Sequence, residues 1–226
     1  MAQFKNGENF KGINLGFFEK RSKRFDLVIG DDIQPLSPRA GNIPVLDMAI
    51  SGEGLMIIAH ETAESSITYK TWDEFQAFAD HKDFPDMRAR HAARGLPETG
   101  FSESYTRHAK ALVGVGTAQG ADRALGLETE FVALANPYTD RLTDGFPIQL
   151  FYQGEPRADA QVEIFARGPD GAVTVSLMRT DASGTANIPV EPGYEYLLDA
   201  VVLRESPDGS DTVWDTLWAA LTFRVP

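Results

Sequence analysis

Residues 161–179 have the sequence QVEIFARGPDGAVTVSLMR, in which two runs rich in β-branched and aromatic residues flank Gly168-Pro169-Asp170-Gly171. Residues of these types are enriched in β-strands, where their side chains fit the pleated surface. Glycine, proline and aspartate each favour a tight turn. The stretch therefore predicts two short β-strands joined by a turn, with no helix between them.

The same alternation of strand and turn continues on both sides of this stretch. The strands predicted in the C-terminal part of the chain are 148–153, 161–167, 172–179, 186–190, 194–203 and 213–225. Many short strands separated by turn residues are typical of a β-sandwich. A polar, turn-rich segment at 136–147 precedes them. We therefore predict a C-terminal β-sandwich domain over residues 144–226.

Residues 1–143 show the same strand pattern with one interruption. The strands predicted here are 23–30, 43–49, 54–60, 66–69, one from Tyr105 to Val115, and 127–134. At Thr71 the pattern changes, because a capping residue followed three positions later by Glu74 marks a helix start. Pro85 begins a second helical segment and Gly95 ends it. We predict a mainly β protein of two β-sandwich domains of immunoglobulin-like or prealbumin-like type, with a helical insertion at about 71–95 in the first.

Composition narrows the classes of function. The chain has 33 acidic and 21 basic residues and a net charge of −12, which argues against a nucleic-acid partner, since phosphate contacts require basic surfaces. It has no cysteine, which excludes disulfides and thiolate metal sites. No apolar run approaches the roughly 18 residues of a membrane span. Zinc-protease, dinucleotide, phosphate-loop and serine-hydrolase motifs are absent, so we expect a binding protein and not an enzyme.

Charged residues alternate with apolar ones around residues 105–130. Lys110 lies within one predicted strand, and Glu128 and Glu130 share a face of the next. If the two strands pair antiparallel across the loop 116–126, Lys110 lies opposite or diagonal to a glutamate, with Arg107 further along. One interpretation is a partly buried ion pair that fixes the strand register. The other is a polar pocket that receives a ligand or cation.

Histidines are the second group of candidate residues. Imidazole is a common ligand of nickel, cobalt, copper and zinc. His81, His91 and His108 lie in or near the predicted helical insertion and could converge on a divalent transition metal ion, whereas His60 lies apart. The alternative for each is an exposed or hydrogen-bonded side chain, because their spacing is not that of a tight ligand motif.

Two tryptophans lie on one face of the last predicted strand. Trp214 and Trp218 are four residues apart, an even spacing that puts both on the same side. Core packing and a sugar-stacking platform are the two interpretations.

Part of the C-terminal domain resembles the prealbumin-like or carboxypeptidase-regulatory type of β-sandwich. The residues that carry this resemblance are Gly154 to Val162, Thr180 to Gly184, and Pro192-Gly193-Tyr194. The whole chain is similar to a bacterial periplasmic family, the domain-of-unknown-function family 4198. The segments that carry this second resemblance are Phe10 to Gly12, Ala79 to Lys82, Gly95 to Glu98, Tyr105 to Leu112, Gly126 to Glu130 and Leu217 to Ala219.

This second resemblance implies a periplasmic accessory or ligand-binding protein linked to nickel or cobalt uptake, with a membrane transporter or outer-membrane receptor as partner. Members of the family usually carry a signal peptide followed by a His-x-Phe-Trp-like strand. This chain has neither, and it resembles a member trimmed just past that point. The alternative function is an interaction module whose β-sandwich docks to a partner protein or a polysaccharide.

Overall fold

A computed structural model describes residues 1–226, apart from the side chain of Glu8, and the protein is mainly β. Two helices interrupt the strands, α1 (Trp72–His81) and α2 (Met87–Ala93). The strands are β1 (Phe4–Glu8), β2 (Lys11–Leu15), β3 (Ser22–Ile29), β4 (Asp32–Pro35), β5 (Gly54–Thr62), β6 (Ser65–Tyr69), β7 (Phe101–Val115), β8 (Thr129–Ala133), β9 (Phe146–Tyr152), β10 (Glu155–Pro156), β11 (Gln161–Arg167), β12 (Val173–Arg179), β13 (Thr185–Ile188), β14 (Glu195–Glu205) and β15 (Trp214–Arg224).

β1 and β2 form a separate two-stranded sheet, and the other strands form a β-sandwich with one large and one small sheet. The large sheet has the order β12-β11-β14-β15-β7-β5-β3-β4, and β6 also pairs with β7. The small sheet has the order β10-β9-β13, and β8 also pairs with β9. Side chains from both sheets meet in the main core, which includes Ile57, Leu112, Phe131, Ile148, Val162, Leu198 and Leu221.

Two strand pairings cross the domain boundary predicted at residues 143–144. The last strand, β15, pairs parallel with β7, and β8 pairs antiparallel with β9. The halves of the chain therefore share both sheets of the sandwich. The division into two β-sandwich domains, residues 1–143 and 144–226, stays a prediction.

The predicted helical insertion is confirmed. Both helices lie against the outer face of the large sheet, where Phe75 of α1 and Met87 of α2 bury against Phe101 and Trp214. The predicted capping of α1 differs in detail. Thr71 makes no side-chain capping bond, and the Glu74 carboxylate instead accepts a hydrogen bond from the backbone N–H of Lys70 at 3.0 Å.

The predicted strand at 43–49 is wrong. Within this segment only Leu46 forms a β-bridge, an isolated one with Ala2 outside the named strands. Val45 and Leu46 are nonetheless buried against Phe17, Phe25 and other apolar residues on the outer face of β3 and β5. The apolar composition of the segment therefore reflects side-chain packing and not pairing in a sheet.

Candidate functional site: a charged groove between the sheets

Alternate residues of β7 face the small sheet and form a series that runs from the edge of the sandwich into its core. Thr106, His108, Lys110 and Leu112 belong to this face, because side chains two residues apart in a strand point the same way. Leu112 packs in the apolar core, while Thr106 lines an open groove. The series thus joins the core to solvent.

The groove lies where the two sheets separate, and we call it the charged groove. It has a volume of about 200 Å³. Its lining residues are Lys23, Glu61, Thr62, Glu64, Thr106, Glu128, Arg204, Asp215 and Leu217. Four carboxylates and two cations therefore face a small space, so the groove is suited to a charged ligand.

Arg204 ties the two sheets together on one side of the groove. Its guanidinium donates to Asp215 at 2.8 Å and to the Tyr152 hydroxyl at 2.9 Å, and it also bonds Glu128. Burial by itself would raise the pKa of Glu128, but the hydrogen bonds from Arg204 and Gln153 outweigh it and lower that pKa. Glu128 is therefore held as a carboxylate.

Glu61 forms the other side of the groove, and His108 lies buried beside Glu61, outside the set of lining residues. The Lys23 ammonium lies 2.6 Å from a Glu61 oxygen, although the Lys23 side chain is 70% exposed. This hydrogen bond and the charge of Glu61 raise the pKa of Lys23. His108 Nε2 lies 3.8 Å from the same Glu61 oxygen, too far for a hydrogen bond.

His108 is the unusual residue of the site. Its side chain is 1% exposed, and neither ring nitrogen has a hydrogen-bond partner among the described residues. Burial lowers the pKa of His108, and the nearby Glu61 and Glu128 carboxylates and the Trp218 backbone offset only part of that effect. The approach of the ring to the Trp218 backbone does not reach hydrogen-bond geometry. A neutral imidazole with an unused lone pair therefore lies beside a carboxylate. Such unsatisfied buried groups are rare in folded proteins, and this one marks a candidate binding position.

Lys110, the next residue on the same face, has a full set of partners. Its ammonium lies 2.7 Å from Asp122 and 3.7 Å from Glu130, and it donates to the carbonyls of Arg123 and Phe131. Asp122 also accepts from the Ala133 N–H at 2.8 Å. These groups satisfy one another inside the sandwich, as the ion-pair interpretation of Lys110 and Glu130 predicts.

The strand geometry assumed for that ion pair is wrong. β7 and β8 belong to different sheets, so Lys110 reaches Glu130 across the sandwich and not along a shared ladder. The loop 116–126 is long enough to connect the two sheets, and it places Asp122 closest to Lys110. Sequence reasoning missed Asp122, because a loop residue has no periodic signal.

The four residues predicted to form one polar pocket lie in three different environments. Lys110 and Glu130 form the buried cluster, and Glu128 lines the charged groove. Arg107 lies on the opposite face of β7, with its guanidinium carbon 5.0 Å from the centre of the Trp218 ring. Only Glu128 is part of the groove.

The three histidines predicted as metal ligands are also separated. His81 is exposed at the end of α1 and bonds Glu163 at 3.0 Å. His91 is buried, with Nε2 2.9 Å from the Pro97 carbonyl and Nδ1 accepting from Trp214 Nε1. His108 lies buried beside Glu61, which lines the groove. Among the described residues, no group of three or more histidine, aspartate or glutamate side chains could hold a metal ion.

The fourth histidine, His60, is held by an aromatic ring and a hydroxyl group. The His60 ring stacks on Phe4 at 4.0 Å between centroids, and a ring nitrogen lies 3.0 Å from the Ser22 hydroxyl. Burial lowers the pKa of His60 to about 4.

The two tryptophans lie on the same face, as predicted, but in different environments. Trp214 is fully buried beneath the helices, which is core packing. Trp218 is half-buried beside Phe78, with the Lys82 ammonium and the Arg107 guanidinium each 5.0 Å from its ring centre. These cations occupy the position that a stacked sugar would need.

The fold and the groove together define a mainly β sandwich protein with a charged cleft between its sheets. The chain belongs to the family described as "Domain of unknown function (DUF4198)", whose model matches residues 2–204. No curated protein and no solved structure matches the chain. Neither described helix has the length and apolar character needed to traverse a bilayer.

Proposed function

We propose that this protein is a periplasmic, non-catalytic binding protein that takes up a divalent transition metal ion, or a small chelate of one, in the charged groove. The observation that carries the proposal is His108, a buried imidazole without a partner whose Nε2 lies 3.8 Å from a Glu61 oxygen. Neutral imidazole and carboxylate are a ligand combination that nickel, cobalt, copper and zinc accept.

The separation of these two atoms suits a shared metal. Ligand bonds of about 2.1 Å at a tetrahedral angle place two ligand atoms about 3.4 Å apart. The observed distance exceeds this value by a few tenths of an ångström, which a side-chain adjustment can close. Lys23, the partner of Glu61, is 70% exposed and can move together with the Glu61 carboxylate when a metal binds.

Two protein ligands leave most of the coordination sphere to other molecules. Structural metal sites in proteins usually have four protein ligands, whereas open sites keep positions for water or substrate. Lys23 and Arg204 supply positive charge in the same groove. A metal bound to a carboxylate-bearing chelator would therefore find ligands for the metal and cations for the chelator side by side.

Three of the four groove carboxylates are paired with cations, which supports binding and not catalysis. Glu128 and Asp215 are held by Arg204, and Glu61 is held by Lys23. A general base must be free to accept a proton, and these carboxylates are engaged by cations. The periplasmic compartment and a transporter or outer-membrane receptor as partner rest on the family resemblance of the sequence.

Isothermal titration of the full chain with Ni²⁺, Co²⁺, Cu²⁺ and Zn²⁺, each alone and as its citrate complex, tests the proposal. We expect at least one to bind with a micromolar Kd, and His108→Leu and Glu61→Gln each to weaken binding at least tenfold, about 1.4 kcal/mol. His81→Ala is the matched control, because it removes an exposed histidine outside the groove and leaves binding unchanged. Binding no tighter than about millimolar, or equal loss in the control, contradicts the proposal.

A further inference from the structure

The row of strands in the large sheet ends in two edge strands of different character, and β6, which pairs with β7 alone, has a third open edge. β12 pairs with β11 alone at one end, and β4 pairs with β3 alone at the other. β4 has four residues, follows Asp31, begins with Asp32 and ends at Pro35. Short length, charge and proline are the features by which natural proteins prevent an edge strand from pairing with another chain.

β12 has none of these protective features between Val173 and Met178. Its sequence is VTVSLMR, seven residues long, and the first charged residue is Arg179 at its end. It is fully extended against β11 over its whole length, with no bulge in the register. The outward backbone N–H and C=O groups of such a strand form a template for another strand.

Apolar side chains accompany this open edge. Val175 is 47% exposed and Leu177 is 58% exposed, and both lie on the outer face of the sheet. The half-buried Phe165 of β11 lies beside Val175, and Leu197 of β14 lies beside Phe165. The edge therefore continues into an apolar strip on the same face, which a strand added to β12 would extend.

We propose that β12 is a self-association interface at which a second copy of this chain adds its own β12 antiparallel, which extends the sheet across a two-fold axis. With the axis at Ser176, Val175 lies opposite Leu177 of the second copy, and Thr174 opposite Met178. Apolar residues then meet apolar residues on the outer face, and no two like charges lie directly opposite, as an isologous strand pair requires. This interface is independent of the charged groove.

Charge sets the conditions under which the dimer forms. Each copy has a net charge of −12, so two copies repel one another at long range. The pairing residues from Val173 to Met178 are uncharged, so salt has no ion pair to weaken there. Screening beyond about 8 Å at physiological ionic strength therefore favours the dimer as salt is added.

Sedimentation equilibrium of the full chain, up to about 200 µM and over a range of NaCl concentrations, tests the interface. We expect a reversible monomer–dimer equilibrium that shifts toward dimer with salt. Leu177→Lys and, separately, Val175→Lys lower the association constant at least tenfold without changing the far-ultraviolet circular dichroism. Leu134→Lys is the matched control, since Leu134 is 51% exposed and lies outside the strands of both sheets, and it leaves association unchanged.

Hydrogen exchange gives a second measurement on the unaltered protein. Amides of residues 173–179 exchange more slowly at high protein concentration, because a second strand protects those that face outward. A chain that stays monomeric at the highest concentration, exchange at β12 that is independent of concentration, or an equal effect of Leu134→Lys overturns the proposal.

Discussion

His108 and Lys110 lie two residues apart on the same face of β7, and both side chains are only 1% exposed. Lys110 has two carboxylates and two carbonyl oxygens around its ammonium group, whereas His108 has no hydrogen-bond partner. Burial of a polar residue therefore does not by itself indicate a binding site. The unsatisfied residue is the better candidate, because the satisfied one already has the interactions that compensate for its burial.

The loop 116–126 is the cause of this difference. It passes over Lys110 and contributes the Asp122 carboxylate and the Arg123 carbonyl as partners. Its last residues, Leu125 and Gly126, donate backbone N–H groups to Glu130. His108 lies two residues nearer to the groove along β7, beyond the reach of this loop. Its polar neighbours there are the Glu61 and Glu128 carboxylates.

The largest expected effect comes from removing the satisfied residue. Lys110→Met leaves the Asp122 and Glu130 carboxylates buried without their cation, and we expect the free energy of unfolding to fall by about 3–5 kcal/mol. Urea denaturation measures the loss. The double variant Lys110→Met with Asp122→Asn should lose less than the sum of its single variants, because each breaks the same interaction. Additive losses would show that the two groups do not act as a pair.

The second largest effect on the free energy of unfolding is expected at acidic pH, where the buried histidines become protonated when the chain unfolds. Burial lowers the pKa of His60 to about 4 and also lowers that of His108. Below about pH 6.5 the unfolded chain binds protons that the folded chain does not, so stability is complete above that pH and declines down to about pH 4. Each histidine contributes a slope of up to about 1.4 kcal/mol per pH unit.

Urea denaturation of the metal-free protein at pH 7.5, 6 and 5 checks this prediction. His108→Leu should make the acid loss less steep, and His60 should account for the remainder. Stability that is the same at the three pH values would contradict the lowered pKa of both residues.

The smallest effect on stability is expected for His108→Leu at neutral pH. Replacing an unsatisfied buried polar group with an apolar one is neutral or stabilising by about 1 kcal/mol. Thermal unfolding should therefore give an unchanged or higher Tm, in contrast to Lys110→Met. A loss of more than about 2 kcal/mol would mean that His108 has a stabilising role, and the comparison between the two residues would fail.

Periodicity was sufficient to predict most of the fold. The predicted strand at 161–167 has the bounds of β11, and the helical insertion follows from local signals at Thr71, Pro85 and Gly95. The exception at 43–49 has a physical reason. Apolar residues of a segment that packs on a sheet resemble those of a strand in composition, although only the strand forms a ladder.

The candidate site was much less predictable. Glu128 and His108 are identified by residue type, but Glu128 lies just before β8 of the small sheet, whereas His108 lies in β7 of the large sheet. Glu61 and Arg204 come from strands far apart in the chain. Sequence reasoning placed Arg107 in the pocket, although the odd spacing from Lys110 already indicates opposite faces of β7. No sequence signal pointed to Arg204, because its role depends on Tyr152 and Asp215.

The sequence by itself determined the mainly β character, the helical insertion and the residue types available for a charged site, because each depends on local spacing and composition. Only the tertiary structure decided that β15 pairs parallel with β7 and that His108 stays without a partner while Lys110 is satisfied. The physical reason is that hydrogen-bond satisfaction depends on which distant segments fold over a residue, and a periodic pattern in one strand contains no information about them.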